Sequence, residues 1–305
     1  GPVIGGFLIS IFGWRSIFLL NIPFGLLGLF MASYYLPQMV GTPRRIKLLA
    51  QLASIVILGA AAYTFITAGA SGWDAPSVKI SMLLFVSFTI LFVFTEILSD
   101  FPMLPKGIFR IKSFTAASIV GIIINFGFYG QLFVLSIYFQ QIKNYSALET
   151  GFAFLPQAVV CAVTAFFCGK VTARKGPGLP MSIGLCAGVL GFIGLSLVNI
   201  NTAYIEIIFP MLAVGFGMSF IAPAAVTAAM ASAPTAQGGV VSGIISAVRQ
   251  SGSLMGVAIL GSLISHQYGM FASGMHMAFM VSAASYFIGL WFTIFWILPG
   301  IVMLT

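Results

Sequence analysis

Arg249 is the residue of this sequence best placed to do chemistry, because it lies about nine residues inside an apolar run that begins near residue 240. Nine residues of helix rise to roughly 13 Å, and an unpaired charge at such a depth in hydrocarbon costs at least about 2.5 kcal/mol. Its guanidinium must therefore face protein or a water-filled cavity, where it serves either as a structural donor to backbone carbonyls or in conformational coupling. In the run at 114–138, Asn125, Tyr129, Leu132 and Ser136 recur at i, i+4, i+7 and i+11, which gathers polar and aromatic groups on one helical face. That face is expected to look inward, for ligand contact or for hydrogen bonding between helices.

The titratable groups argue against catalysis. The five carboxylates are Asp74, Glu96, Asp100, Glu149 and Glu206, and all fall at the ends of apolar runs or between them. No His, Asp or Glu cluster shares a common depth, as an enzyme within the membrane would require. His266, Met270, Met275, His276, Met277 and Met280 lack the fixed ligand spacing of a metal site. Cys161, Cys168 and Cys186 lie inside apolar runs and read as packing residues. No cofactor or metal is expected.

The elements that hold these residues follow from composition. Of 305 residues, 60% are hydrophobic and 6% charged, with a mean hydropathy of +1.12, whereas soluble domains carry about a quarter charged residues. Such a surface belongs in a lipid bilayer. Nine runs reach the roughly 20 residues a membrane helix needs: 15–36, 48–70, 78–98, 114–138, 151–169, 179–199, 205–231, 240–264 and 278–298. Residues 1–12 add a half-span. The runs are continuously apolar and too long for tilted strands, so the fold class is an all-α membrane protein rather than a β-barrel. The chain opens on Gly1 and Pro2 without Met or a signal peptide, which reads as a fragment beginning inside a helix.

The net charge of +8 reports topology here and not a nucleic-acid partner. Alternating the sides collects Arg44, Arg45, Lys47, Lys106, Arg110, Lys112, Lys170, Arg174 and Lys175 on one face. Arg15, Lys79 and Lys143 fall on the other, so the first face and the C-terminus are expected to be cytoplasmic. Trp14, Trp73, Tyr145 and Tyr204 at one boundary, and Tyr34, Tyr35 and Trp296 at the other, form the expected aromatic belts.

Gly1-Pro2-x-x-Gly5-Gly6 resembles the GPxxGG end of the antiporter motif of major facilitator exporters. Trp14-Arg15, Phe18, Asn21, Pro23 and Gly25 are similar to the WRxxFxxNxPxG pattern that opens the sixth helix in fourteen-helix drug/proton antiporters of the multidrug resistance protein B type. Tyr138-x-Gln140, Gly151, Pro156 and Arg249-Gln250-x-Gly252-x-x-x-Gly256-Val257-Ala258 extend the resemblance over nearly the whole chain. Gly169 to Gly176 is similar to a second copy of the superfamily's GxLxDRxG loop, with Ala173 at its acidic position.

The resemblance implies a major facilitator helical bundle in which 1–36 closes a first six-helix bundle, 37–113 is a linker with two inserted helices, and 114–305 is the second bundle. It implies a proton-coupled efflux transporter in a bacterial cytoplasmic membrane, exporting drugs or other amphipathic small molecules by alternating access. A facilitator or importer of a small organic solute, or an inactive fragment, stands as the alternative. In a double-membrane bacterium a periplasmic adaptor is a further implied partner. Gly1, Pro2, Gly5 and Gly6 are implied to gate, and Asn125, Phe128, Tyr129, Ser136, Met218 and Phe220 to line the substrate cavity. Arg249 and Arg174 are implied to serve conformational coupling, and the main proton-carrying carboxylate to lie upstream of Gly1.

Overall fold

The computed structural model describes residues 2–35, 48–98, 107–232, 238–264 and 268–298. These residues are mostly helical, with no strands among them, as an apolar chain must be where hydrocarbon offers no partner to a free backbone amide. In chain order the helices are α1 (Pro2–Phe12), α2 (Arg15–Tyr35), α3 (Leu48–Ser71), α4 (Pro76–Ile97), α5 (Lys112–Ile137), α6 (Ala147–Ala153), α7 (Leu155–Lys175), α8 (Gly178–Ser196), α9 (Tyr204–Ala231), α10 (Gly238–Ser262) and α11 (Tyr268–Phe292). Among the described residues nine helical segments are long and apolar enough to cross a membrane, α6 and α7 together making one of them, and α1 is a shorter apolar helix. This is the expected count of nine spans and a half-span.

Besides α7 running on to Lys175, beyond the expected 169, two features differ from the sequence reading. The last helix begins at Tyr268, ten residues before the expected 278, because Gly, Ser and His dilute the hydropathy of a stretch whose Met and Ala residues favour helix. The span expected at 151–169 is broken near its start, where α6 ends at Ala153 and α7 begins at Leu155. Pro156, in the first turn of α7, lacks the N–H that would continue the earlier helix.

The chain forms two compact units. One is drawn from Gly1–Lys47 and Ser136–Pro156. In it α5 ends in a π-helical turn, Tyr138–Ile142, and the chain reverses through Asn144, which takes a left-handed φ of 57°. Ser146 then caps α6: its hydroxyl accepts from the Glu149 N–H, and the Glu149 carboxylate accepts from the Ser146 N–H at 2.7 Å. This reciprocal arrangement satisfies two otherwise orphaned donors. Phe139 packs on Tyr145 and Phe154 with ring centroids 5.6 and 5.7 Å away.

The other unit, Leu48–Leu135 with Gln157–Thr305, packs its helices through glycines. A Cβ at Gly217 on α9 would lie 2.6 Å from the Gly184 carbonyl oxygen of α8, and one at Gly191 on α8 would lie 2.9 Å from the Pro210 carbonyl oxygen of α9. Backbones this close gain dispersion contact, which holds helices together where lipid is as apolar as leucine. Tyr286 of α11 is fully buried against Gly127 and Gly188, and its hydroxyl donates to the Ile124 carbonyl at 3.1 Å.

Candidate functional site

Asn125 of α5 meets α10 in a seam midway along both helices. Asn125 is thirteen residues from the start of α5 and twelve from its end, and Arg249 is eleven from the start of α10 and thirteen from its end. Gly121 faces the Arg249 side chain, whose Cγ lies 3.2 Å from where a Gly121 Cβ would be. Gly252 abuts the Ile122 backbone, Gly256 the Phe126 backbone, and Gly130 the Gly256 carbonyl. Both numberings rise together, so α5 and α10 run parallel. The Asn125 side-chain amide donates to the Gly121 carbonyl at 2.8 Å, and Ser253 donates to the Asn125 carbonyl oxygen at 3.5 Å. The Arg-Gln-x-Gly-x-x-x-Gly motif is thus a helix contact in which two glycines admit the α5 backbone and the arginine occupies the gap left by a third.

A second polar contact ties α5 to α7. Gln131 and Gln157 are buried, at 0% and 2% exposure, and exchange side-chain amide hydrogen bonds of 3.0 and 3.4 Å. Gln157 also packs on Gly215 of α9. On α7 the Cys161 thiol donates to the Gly215 carbonyl and the Cys168 thiol to the Phe220 carbonyl. Sequence reasoning missed the glutamine pair, since only the polarity of Gln131 and Gln157 within their apolar runs could have signalled it.

The expected cavity residues are distributed over several environments. Asn125 is buried in the seam, whereas Tyr129, one turn on, is 43% exposed and packs edge-to-face with half-buried Phe128. Ser136 is half-buried. Met218 and Phe220 are buried on α9, Phe220 stacking on Phe216 at 5.0 Å. A groove of about 500 Å³ lies elsewhere, between α3 and α4, lined by Val56, Tyr63, Ile80 and Leu84 among others, and it includes none of the residues expected to act.

Of the expected gating residues, Gly1 is outside the described residues and Pro2 begins α1. The close approach is at Gly6, where a Cβ would fall 2.6 Å from the Ala147 carbonyl oxygen of α6, while Gly5 has no neighbour within 4 Å. Arg174 is exposed in the last turn of α7, where a cation suits the helix dipole. Arg44, Arg45, Lys47, Lys106, Asp100 and His266 lie outside the described residues.

The described carboxylates sit at helix ends or turns: Glu96 buried in the last turn of α4, Glu149 and Glu206 in first turns, and Asp74 paired with Lys79 at 3.2 Å. His276 is part of α11 and makes a 2.7 Å hydrogen bond to the Val198 carbonyl. Among the described residues no three His, Cys, Asp or Glu side chains gather closely enough to hold a metal ion.

Membrane helices joined by glycine contacts are compatible with several transporter families, and comparison with known proteins decides among them. Residues 1–257 match the family model described as Major Facilitator Superfamily. The chain belongs to the major facilitator superfamily. Among its relatives in the superfamily, the methylenomycin A resistance protein of Bacillus subtilis is 28% identical over 94% of this chain and 61% of its own length. The multidrug resistance protein Stp of Mycobacterium tuberculosis is 32% identical over 87% and 49%, respectively. The tetracenomycin C resistance and export protein of Streptomyces glaucescens is 27% identical over 88% and 50%. This major facilitator chain therefore spans between about half and three-fifths of the length of these relatives.

Proposed function

We propose that this chain works in proton-coupled export of amphipathic small molecules across a bacterial cytoplasmic membrane, by alternating access and with its C-terminus on the cytoplasmic side. The observation that carries this reading is that relatives matched over 87–94% of the chain are named for resistance or export. On this reading α3 and α4 are the pair inserted between two six-helix bundles in a fourteen-helix exporter, and residues 114–305 form the second bundle. Mid-depth Asn125, with Phe128, Tyr129 and Ser136 along α5 and Met218 and Phe220 on α9, then contributes to the substrate path. The notch of Gly6 against α6 serves gating, and Arg249 and Arg174 serve coupling. The described carboxylates all lie near helix ends, so the proton is carried by a group outside these helices.

The test is transport by the full protein in proteoliposomes, with ethidium and 4-butylbenzoate as cationic and anionic probes and an imposed pH gradient. Flux that rises with the gradient and collapses when nigericin dissipates it supports antiport. Flux indifferent to the gradient makes the protein a facilitator, and absence of flux for both probes sinks the export reading.

A further inference from the structure

Two buried side-chain polar atoms have no hydrogen-bond partner among the described residues, Ser118 Oγ on α5 and Arg249 Nε on α10. Native interiors leave few such atoms unpaired, so each calls for a cause. Ser118 is only 5% exposed. It stands three residues before Gly121, hence on the same face of α5, and Gly121 is the residue against which Arg249 Cγ packs. Long helical side chains lean toward the N-terminus of their own helix. Because α5 and α10 run parallel, that lean carries the guanidinium from the level of Gly121 toward the level of Ser118.

The other polar groups of this seam are engaged. The Asn125 amide donates to Gly121 and its oxygen accepts from Ser253, and Ser253 also donates to the Arg249 carbonyl. The unengaged pair can both donate hydrogen bonds, one of them belongs to a fixed positive charge, and neither α5 nor α10 contains an acidic residue. Arg249 itself is half-buried, so its Nε is sealed within the seam while part of the side chain reaches the protein surface. A planar guanidinium in this position matches the two oxygens of a carboxylate.

We propose that Arg249 and Ser118 form an anion site at mid-membrane that takes the carboxylate of an amphipathic ligand. The proposal deepens the transport reading by naming a substrate class. Its test is equilibrium binding without any gradient, so a failure of carboxylate recognition and a failure of export are separate results.

The experiment measures binding of radiolabelled 4-butylbenzoate and of its neutral amide, 4-butylbenzamide, to the full protein in phosphatidylcholine nanodiscs, with empty nanodiscs subtracted. The acid is expected to bind at least about tenfold more tightly than the amide, the scale of one charge-assisted bidentate contact. Arg249→Gln is expected to abolish that preference, Arg249→Lys to retain part of it, and Ser118→Ala to weaken acid binding a few-fold while leaving amide binding unchanged. Equal binding of acid and amide to the unaltered protein, or a preference that survives Arg249→Gln, overturns the proposal. Should Arg249→Gln fail to fold, an unchanged preference in both Arg249→Lys and Ser118→Ala overturns it equally. If the acid does not bind and Arg249→Gln lowers thermal stability, the arginine is neutralised by a carboxylate of the protein itself and the ligand site does not exist.

Discussion

Replacing Gly256 by alanine tests the seam between α5 and α10 directly. The added Cβ would lie 2.8 Å from both the Cα and the carbonyl carbon of Phe126, and closer still to its oxygen. Carbon atoms pack at about 3.5–4.0 Å, so α10 must retreat from α5 by roughly 1 Å. The obstacle is backbone in a helix and cannot swing aside as a side chain would. Overpacking of this kind costs about 1–3 kcal/mol, offset by the roughly 1 kcal/mol that alanine gains over glycine inside a helix. Gly256→Ala is therefore expected to destabilise by up to about 2 kcal/mol. Gly243, on the same helix, has nothing within 4 Å, so Gly243→Ala should be neutral or stabilising by up to about 1 kcal/mol. The double variant Gly252→Ala/Gly256→Ala should cost less than the sum of its singles, because one displacement of α10 relieves both contacts. Unfolding by sodium dodecyl sulfate, followed by tryptophan fluorescence, reads all four differences. A Gly256→Ala protein as stable as Gly243→Ala would falsify the close-packed seam.

Other outcomes follow from single contacts. Gln131→Leu should destabilise by about 1–3 kcal/mol by stranding the Gln157 amide, while Gln131→Leu/Gln157→Leu should recover most of the loss, as a double-mutant cycle in the same unfolding assay would show. Tyr286→Phe removes the hydroxyl bond to Ile124 and should cost about 1 kcal/mol; a change within error would mean that the bond contributes nothing net. Ser146→Ala breaks the cap of α6 and should cost about 1 kcal/mol, visible as faster amide hydrogen exchange confined to the first turn of that helix. Faster exchange throughout α6 and α7 would contradict a local role.

Much of the fold was legible in the sequence because the bilayer imposes one rule on every span: enough apolar residues to cross, with the backbone bonded to itself. The rule found α3, α4 and α9 nearly to the residue. It lost the first ten residues of α11, where Gly269, Ser273, Gly274 and His276 look loop-like until His276 finds the Val198 carbonyl. It also lost the break before α7, a matter of Pro156 and local geometry rather than of hydropathy.

The site was less legible for a physical reason. A membrane helix is apolar on its lipid side and on its protein side alike, so periodicity marks the polar face of α5 but cannot say what that face meets. Asn125 and Tyr129 share a helical stripe, yet one is buried against α10 and the other is exposed. Gln131 and Gln157 are 26 residues apart, and Ser118 among small residues carries no signal that its hydroxyl is unpaired.

The parallel register of α5 and α10 also constrains how sequences of this kind can drift. A slip of one turn would still set glycines against backbone, since Gly252 would move to Phe126 and Gly256 to Gly130. It would also drive Arg249 into the space of Asn125, a residue with a side chain where Gly121 has none. The arginine is thus the element that distinguishes the native alignment from its nearest alternative, and Gly121 is the vacancy that makes the alignment permissible. Among homologous sequences, a larger residue at the position of Gly121 should be accompanied by loss or shortening of the side chain at that of Arg249, while the positions of Gly252 and Gly256 should remain small whatever happens to the other two.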